Sequence, residues 1–320
     1  MKILLADSFP QTHATKLADT GHHITSEPSL DADTLTGAID DHDILVVRST
    51  KVTAATLDAT SNLKLIIRAG AGTNTIDKAY AAEKGISVCN VPGANSIAVA
   101  ELVMGLIISI DRNIHENVGD LRNDAWNKKK YAQSRGLYGQ KIGILGLGAI
   151  GLAVAERAKA FGIDAYSVAK TGRSSANEER ILAAGVTQLD SLDDVLQICD
   201  IVSIHMPSTS QTQRMVNADF LSKMKDGAML INSSRGDLVD EAALIEAMNT
   251  KGIKAGLDVY DNEPSSGQCT FHSEIAKHPN VCGTHHIGAS TEQAQTAVAD
   301  GVLRVIESFE NNQLIFCVND

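Results

Sequence analysis

The sequence has no CxxC pair, no excess of positive charge and no apolar run of membrane-spanning length. Its five cysteines (Cys89, Cys199, Cys269, Cys282, Cys317) are scattered and odd in number. That excludes a disulfide framework and points to a reduced, cytoplasmic setting in which they fill small core spaces. A net charge of −11 releases no counterions from a phosphate backbone, so nucleic-acid binding is not expected. A few arginines in a cleft would still suit a small anionic ligand. The amino-terminal run MKILLADSFP is broken at Asp7 and is too short for a signal-peptide core, and no membrane contact is expected. Internal repeats and low-complexity tracts are also missing, and no metal site is expected.

What remains is a chain of 320 residues, 43% hydrophobic and 21% charged, long enough for two globular domains. Short apolar runs predict strands over 2–6, 23–26, 44–49, 63–69 and 86–91. A second series is predicted over 141–145, 164–168, 201–205, 228–233, 255–259 and 281–284. Helix-length connections between the strands imply parallel sheets. The expected fold is therefore α/β, with two doubly wound parallel-sheet domains, one Rossmann-type and one flavodoxin-like. Val99, Leu102, Val103, Leu106, Ile107 and Ile110 recur at helical spacing and predict one long connecting helix over about 96–121, capped by Asn95 or Ser96. A last helix over 291–310 and a short strand over 314–318 are expected to return to the first domain. The expected boundaries are 1–97 with 290–320 for a discontinuous substrate-binding domain, and 98–289 for a dinucleotide-binding domain.

The dinucleotide reading rests on Gly146-Leu147-Gly148-Ala149-Ile150-Gly151, set between the strand KIGIL and a helix-forming run. A GxGxxG alone is weak, but strand before and helix after is the context the mechanism needs. Gly146 permits the turn, Gly148 lets backbone approach a pyrophosphate, and Gly151 lets helix pack on strand. The N–H groups of Ala149 and Ile150 meet the phosphates at the positive helix end. The next strand, DAYSV, runs into Ala169-Lys170-Thr171-Gly172-Arg173-Ser174, with no carboxylate to accept from a ribose 2′-hydroxyl. Lys170, Arg173 and the Ser174 hydroxyl suit a 2′-phosphate, so the cofactor is expected to be NAD(P), with NADP(H) somewhat preferred. The alternative is a solvated basic loop with loose NAD binding.

Four blocks carry a family resemblance: Arg68 to Asp77 (RAGAGTNTID), Asn90 to Glu101 (NVPGANSIAVAE), Asn232 to Asp240 (NSSRGDLVD) and His286 to Thr291 (HIGAST). Together they resemble the D-isomer-specific 2-hydroxyacid dehydrogenases, most of all the short D-3-phosphoglycerate dehydrogenases. The resemblance runs over nearly the whole chain. It implies two domains with the active site in the cleft, and a homodimer formed through the nucleotide-binding domain. It also implies Arg235, Glu263 and His286 as catalytic residues. Singly, each has a plainer explanation as a surface ion pair, a solvated acid or a core histidine. Jointly, they lie just past the carboxyl ends of predicted strands of one sheet, where open parallel sheets place their ligand crevice. Reduction of a 2-oxo acid needs a proton donor at the carbonyl oxygen, which His286 can be if Glu263 holds it charged. Arg235 can grip the substrate carboxylate in a planar fork. His285 departs from the family, which usually has Pro there.

The same resemblance places Asp258 against the nicotinamide amide, and Pro207, Ser233 and Ser234 along the cofactor, with His205 structural. It gives the substrate carboxylate the N–H groups of Ala71 and Gly72, and a distal phosphate Arg48, Ser49 and Arg68. The expected substrate pair is 3-phosphoglycerate/3-phosphooxypyruvate, a step of serine biosynthesis. The alternative is an NADPH-dependent glyoxylate/hydroxypyruvate reductase, which the Lys170–Arg173 loop resembles. Formate dehydrogenases pair the histidine with Gln, so Glu263 counts against them. A remote third class is the NAD(H)-binding corepressors of this superfamily. Lys128-Lys129-Lys130 reads as a solvated run, and a regulatory carboxy-terminal domain is not expected.

Overall fold

A computed structural model describes residues 1–264 and 268–319. In chain order it runs β1 (Lys2–Leu5), α1 (Gln11–Asp19), β2 (His23–Ser26), α2 (Ala32–Ala38), β3 (Ile44–Val47), α3 (Ala54–Asp58), β4 (Leu65–Arg68), α4 (Lys78–Glu83) and β5 (Ser87–Asn90). Then come α5 (Ser96–Arg112), α6 (Ile114–Arg122), β6 (Lys141–Leu145), α7 (Ala149–Ala160), β7 (Asp164–Val168), α8 (Ser175–Ala183), β8 (Val186–Leu189), α9 (Leu192–Ile198) and β9 (Ile201–Ile204). The chain closes with α10 (Ala218–Lys223), β10 (Met229–Asn232), α11 (Glu241–Lys251), β11 (Lys254–Leu257), β12 (Val281–Gly283) and α12 (Glu292–Glu310). Two compact units result: Met1–Asn95 with Ala289–Asp320, and Ser96–Gly288.

The first unit holds a five-stranded sheet in the order β2-β1-β3-β4-β5, every neighbouring pair parallel. That is the flavodoxin-like order, with its switch point between β1 and β3. Alternate residues divide between two faces. Ile3, Leu5, Ile44, Val46, Leu65 and Ile67 enter one core with α12 residues Val302, Val305 and Ile306. Leu4, Leu45, Val47 and Ile66 enter the other with Leu35 of α2 and Leu57 of α3. Burial on both faces is why these strands read as continuous apolar runs rather than alternating ones.

The second unit holds a seven-stranded parallel sheet, β12-β11-β10-β9-β6-β7-β8. Its order reverses between β6 and β9, the point where such sheets open a crevice at their carboxyl edge. One face is covered by α5 and α7 and the other by α9, α10 and α11 side chains.

Four expectations need correction. The connecting helix is two helices, because Asn113 takes a left-handed φ of 48° that ends α5 and restarts the chain as α6. Asparagine tolerates that conformation better than other non-glycine residues, so the apolar period is broken without a glycine to announce it. Neither Asn95 nor Ser96 caps α5, since Asn95 Oδ1 and Ser96 Oγ are buried without a hydrogen-bond partner. Residues 314–318 form no strand. They make a single antiparallel bridge, Cys317 to Cys89 on β5. Finally, β8 has no counterpart among the expected strands: VTQL is four residues on the sheet edge, with two polar side chains and no apolar run.

Candidate functional site

Because all strands of the second sheet are parallel, the segments after β6, β9, β10, β11 and β12 gather at one edge. The turn after β6 is packed backbone to backbone. Gly146 has φ 104°, and a Cβ there would lie 2.5 Å from the His205 carbonyl oxygen. A Cβ on Gly151 would meet the Gly146 carbonyl oxygen at 2.0 Å. Gly148, the residue before α7, has open space where its Cβ would be. Gly146 lets the turn lie against the segment after β9, Gly151 lets α7 seat on the turn and β6, and Gly148 leaves room above the helix end. The first N–H groups of α7, at Ala149 and Ile150, have no carbonyl one turn back to bond. This cradle fits a dinucleotide pyrophosphate.

The segment after β9 supplies His205 and Pro207. The imidazole of His205 bonds Ser203 Oγ through Nε2 at 2.8 Å. Burial pushes its pKa down to about 4, so it is neutral. After β10, fully buried Asn232 clamps the turn that carries the arginine. Its Nδ2 donates to the Arg235 carbonyl at 2.8 Å and its Oδ1 accepts from Ser234 N–H at 3.0 Å. Ser234 Oγ donates to the Ile204 carbonyl at 2.8 Å, which ties the turn to β9. Half-buried Arg235 is followed by Gly236, whose Cβ would fall 1.9 Å from the Tyr260 carbonyl carbon. Only glycine lets the arginine turn lie against the segment leading to Glu263.

After β11, Asp258 is 1% exposed and organises the next loop. Its Oδ1 accepts from Thr284 Oγ1 at 2.6 Å and Ile287 N–H at 2.8 Å, and its Oδ2 from Gly288 N–H at 2.9 Å. Its carbonyl accepts from His286 N–H at 2.8 Å. These bonds hold His286 at φ 52°, a left-handed conformation that costs a non-glycine residue about 1–2 kcal/mol. The outcome is a direct pair: His286 Nδ1 lies 2.7 Å from Glu263 Oε1. Burial would raise the Glu263 carboxyl, but the hydrogen bond and charge of His286 outweigh it. The Tyr260 N–H and the Arg235 guanidinium add to this, and the result lies below the usual carboxylate value. With Nδ1 given to the carboxylate, Nε2 is the ring nitrogen left outside that pair. His285 is exposed beside it.

The basic loop after β7 is less open than its sequence implies. Lys170 and Ser174 are exposed, and Ser174 caps α8 by accepting from Asn177 N–H. The Arg173 guanidinium, however, bonds Gln188 of β8 and pairs with Glu178 at 3.5 Å. Lys130 is likewise held between Glu116 and Asp120, each at 3.3 Å, as a locally neutralised surface lysine.

In the first unit, the turn after β3 sits at that sheet's own switch point. The Asp7 carboxylate gathers the N–H groups of Arg48, Ser49 and Thr50 at 2.6, 3.1 and 3.2 Å, and the Ser49 hydroxyl at 2.7 Å. Arg48 Nη2 reaches Ser290 Oγ at 3.4 Å. After β4, the Arg68 guanidinium folds over Gly70, where a Cβ would collide with Nη1 at 1.7 Å. Asn90 Nδ2 donates to the Ala71 carbonyl at 2.6 Å and Val91 N–H to the Gly70 carbonyl at 2.9 Å, which fixes the glycine-rich turn. Sequence reasoning missed Asp7, Asn232 and the loop-holding work of Asp258. Their signal, a small polar residue at or just past a strand's carboxyl end, is visible only in retrospect. Among the described residues no group of three or more His, Cys, Asp or Glu is placed to hold a metal ion. None of their helices is long and apolar enough to cross a membrane.

Residues 104–288 match the NAD-binding-domain model of the D-isomer specific 2-hydroxyacid dehydrogenases. The chain belongs to the D-isomer specific 2-hydroxyacid dehydrogenase family. Within the family it is 42% identical over 279 residues to a hydroxypyruvate reductase from Thermotoga maritima, covering 86% of this chain and 87% of that protein. It is 37% identical over 317 residues to a D-3-phosphoglycerate dehydrogenase from Methanocaldococcus jannaschii, covering 96% of this chain but only 57% of the relative. Among solved structures, a glyoxylate reductase from Paecilomyes thermophila superposes with a TM-score of 0.86 at 26% identity, over 99% of this chain and 98% of that one.

Proposed function

We propose that this chain is an NAD(P)-dependent D-2-hydroxyacid dehydrogenase, with Arg235, Glu263 and His286 as its catalytic residues. The observation that carries the reading is the 2.7 Å pair between His286 Nδ1 and Glu263 Oε1 at the sheet edge that also bears Arg235 and the glycine cradle. A nicotinamide cofactor, when bound, supplies the hydride to the 2-oxo carbon or accepts it from the 2-hydroxy carbon. In the reductive direction Arg235 grips the substrate carboxylate in its planar fork and fixes the distance to the reacting carbon. Protonated His286 then gives the Nε2 proton to the carbonyl oxygen as negative charge grows there, and Glu263 stabilises the imidazolium until that transfer. In the oxidative direction neutral His286 takes the hydroxyl proton.

Gly146, Gly148, Ala149, Ile150 and Gly151 would hold the pyrophosphate, with Pro207, Ser233 and Ser234 along the remainder. A carboxylate has about four acceptor positions, and Asp258 uses three within its own loop, which leaves one for the nicotinamide amide. Preference for NADP(H) is supported by the missing carboxylate after β7 and by exposed Lys170 and Ser174. For Arg173 to join them it must exchange Glu178 for phosphate. Arg173→Ala should therefore raise the KM for NADPH while sparing NADH, and an equal response to both would refute the 2′-phosphate reading.

For the substrate we favour 3-phosphoglycerate/3-phosphooxypyruvate, with Arg48 and Arg68 as the cations for a distal phosphate and Ala71 and Gly72 offering backbone N–H groups. A second reading, glyoxylate/hydroxypyruvate reduction, is favoured by the hydroxypyruvate reductase relative, which this chain matches over 87% of that protein's length. A homodimer through the nucleotide-binding unit is supported by α6. None of its residues is buried, and Ile114, Val118 and Leu121 line one face, exposed by 44%, 37% and 56%. The scattered cysteines support a cytoplasmic location. The test follows reduced-nicotinamide absorbance with NADH and NADPH against phosphooxypyruvate, hydroxypyruvate and glyoxylate. Turnover of the phosphorylated acid should dominate. Preference for either of the other two would select the second reading, and dinucleotide binding with no turnover would refute both.

A further inference from the structure

We propose that Cys89 and Cys317 are a redox-sensitive pair that closes into a disulfide and staples the 311–319 segment to β5. The two residues stand directly opposite each other in an antiparallel bridge. Its hydrogen bonds run from Asn90 N–H to the Phe316 carbonyl (3.2 Å) and from Val318 N–H to the Val88 carbonyl (2.8 Å). Both bonds flank the cysteine pair instead of joining it, so it is the close, non-hydrogen-bonded kind, with Cα atoms about 4.5 Å apart. Opposed residues of such a pair point to the same face, and that separation lies inside the range a disulfide spans. Both side chains belong to one hydrophobic cluster, against which Leu314 and Ile315 also pack. Asn319 holds the register from the other side. Its Oδ1 accepts from Val88 N–H at 2.7 Å and its Nδ2 donates to the Ile86 carbonyl at 2.9 Å.

Unequal exposure orders the chemistry. Cys317 is partly exposed and Cys89 is buried, so the small-molecule disulfide that acts as oxidant, such as oxidised glutathione, meets Cys317 first. The Cys317 thiolate attacks one sulfur of that disulfide, forms a mixed disulfide and expels one thiolate. The Cys89 thiolate then attacks the Cys317 sulfur, forms the internal bond and expels the second thiolate. Two cysteine thiols are oxidised, one disulfide is reduced to two thiols, and the two cysteine protons pass to them. In a reducing compartment the pair stays open, and it closes under oxidative challenge.

The test uses the full chain carrying Cys269→Ser, which removes the exposed competing thiol, treated with oxidised glutathione. The expected product has lost two hydrogens in mass and links tryptic peptides 85–112 and 305–320. It unfolds at a higher temperature and reverts with dithiothreitol. Adding Cys317→Ser, a change at a partly exposed site, should remove the link and the thermal shift together. A stable glutathione adduct at Cys317 without internal closure, a link through Cys199 or Cys282, or no reaction in the folded protein would each overturn the proposal.

Discussion

Replacing Asp258 with Asn changes one atom at the point where the His286 loop is tied down. The carboxylate accepts three hydrogen bonds, two at Oδ1 and one at Oδ2, and is 1% exposed. An amide can keep only one oxygen. Its cheaper orientation keeps the two bonds from Thr284 and Ile287 and turns its NH2 toward Gly288 N–H, donor against donor. The lost charge-assisted bond costs about 1.5–3 kcal/mol, and the two retained bonds fall from charged to neutral strength at about 1 kcal/mol each. The sum is about 3.5–5 kcal/mol against the closed loop, part of which must oppose the strain at His286. Because 1.4 kcal/mol is tenfold, exchange protection of the Ile287 and Gly288 amides should fall by roughly two and a half to three and a half orders of magnitude. A displacement of about 1 Å at a positioned group costs on the order of 100-fold in rate, so kcat should fall even though the histidine is intact. Amide exchange read at those two positions, beside steady-state turnover, is the assay. Unchanged protection with unchanged kcat would refute the claim that Asp258 holds the loop.

Gly236→Ala would press a methyl group into the Tyr260 backbone, 1.9 Å from its carbonyl carbon. At least about 1–3 kcal/mol of destabilisation and a loss of turnover are expected, read from the denaturant midpoint and kcat, and an unaffected variant would contradict the packing argument. His205 gives a pH signature. Its folded pKa of about 4 lies below the unfolded value of about 6.5, so the unfolded chain binds the extra proton between them. That contribution, up to roughly 3 kcal/mol, is fully present above pH ~6.5 and is lost as pH falls toward about 4. Denaturant titrations across that window should show the decline in the native protein and a flatter profile in His205→Asn; equal slopes would refute it.

Much of this was legible in the sequence because parallel strands buried on both faces write themselves as apolar runs, and because GxGxxG between strand and helix has one physical use. The strand ends then placed Arg235, Glu263 and His286 along one edge. What could not be read is contact made across the fold. The grip of Asp7 on Arg48–Thr50, the bond from Ser234 to the Ile204 carbonyl, and the engagement of Arg173 by Gln188 join residues that no local pattern relates. The helix break at Asn113 was missed for a related reason: the apolar spacing of α5 runs up to Ile110, and one left-handed residue redirects the chain without changing composition.

In the proposed reaction His286, oriented by Glu263, moves the proton while hydride moves at the adjacent carbon. The most direct measurement is the single-turnover rate of nicotinamide oxidation by a 2-oxo acid in His286→Ala, with dinucleotide affinity measured in parallel. The expected rate is about 10²–10⁴-fold lower, with cofactor Kd unchanged. A near-native rate would contradict it and move the proton to another donor, His285 first.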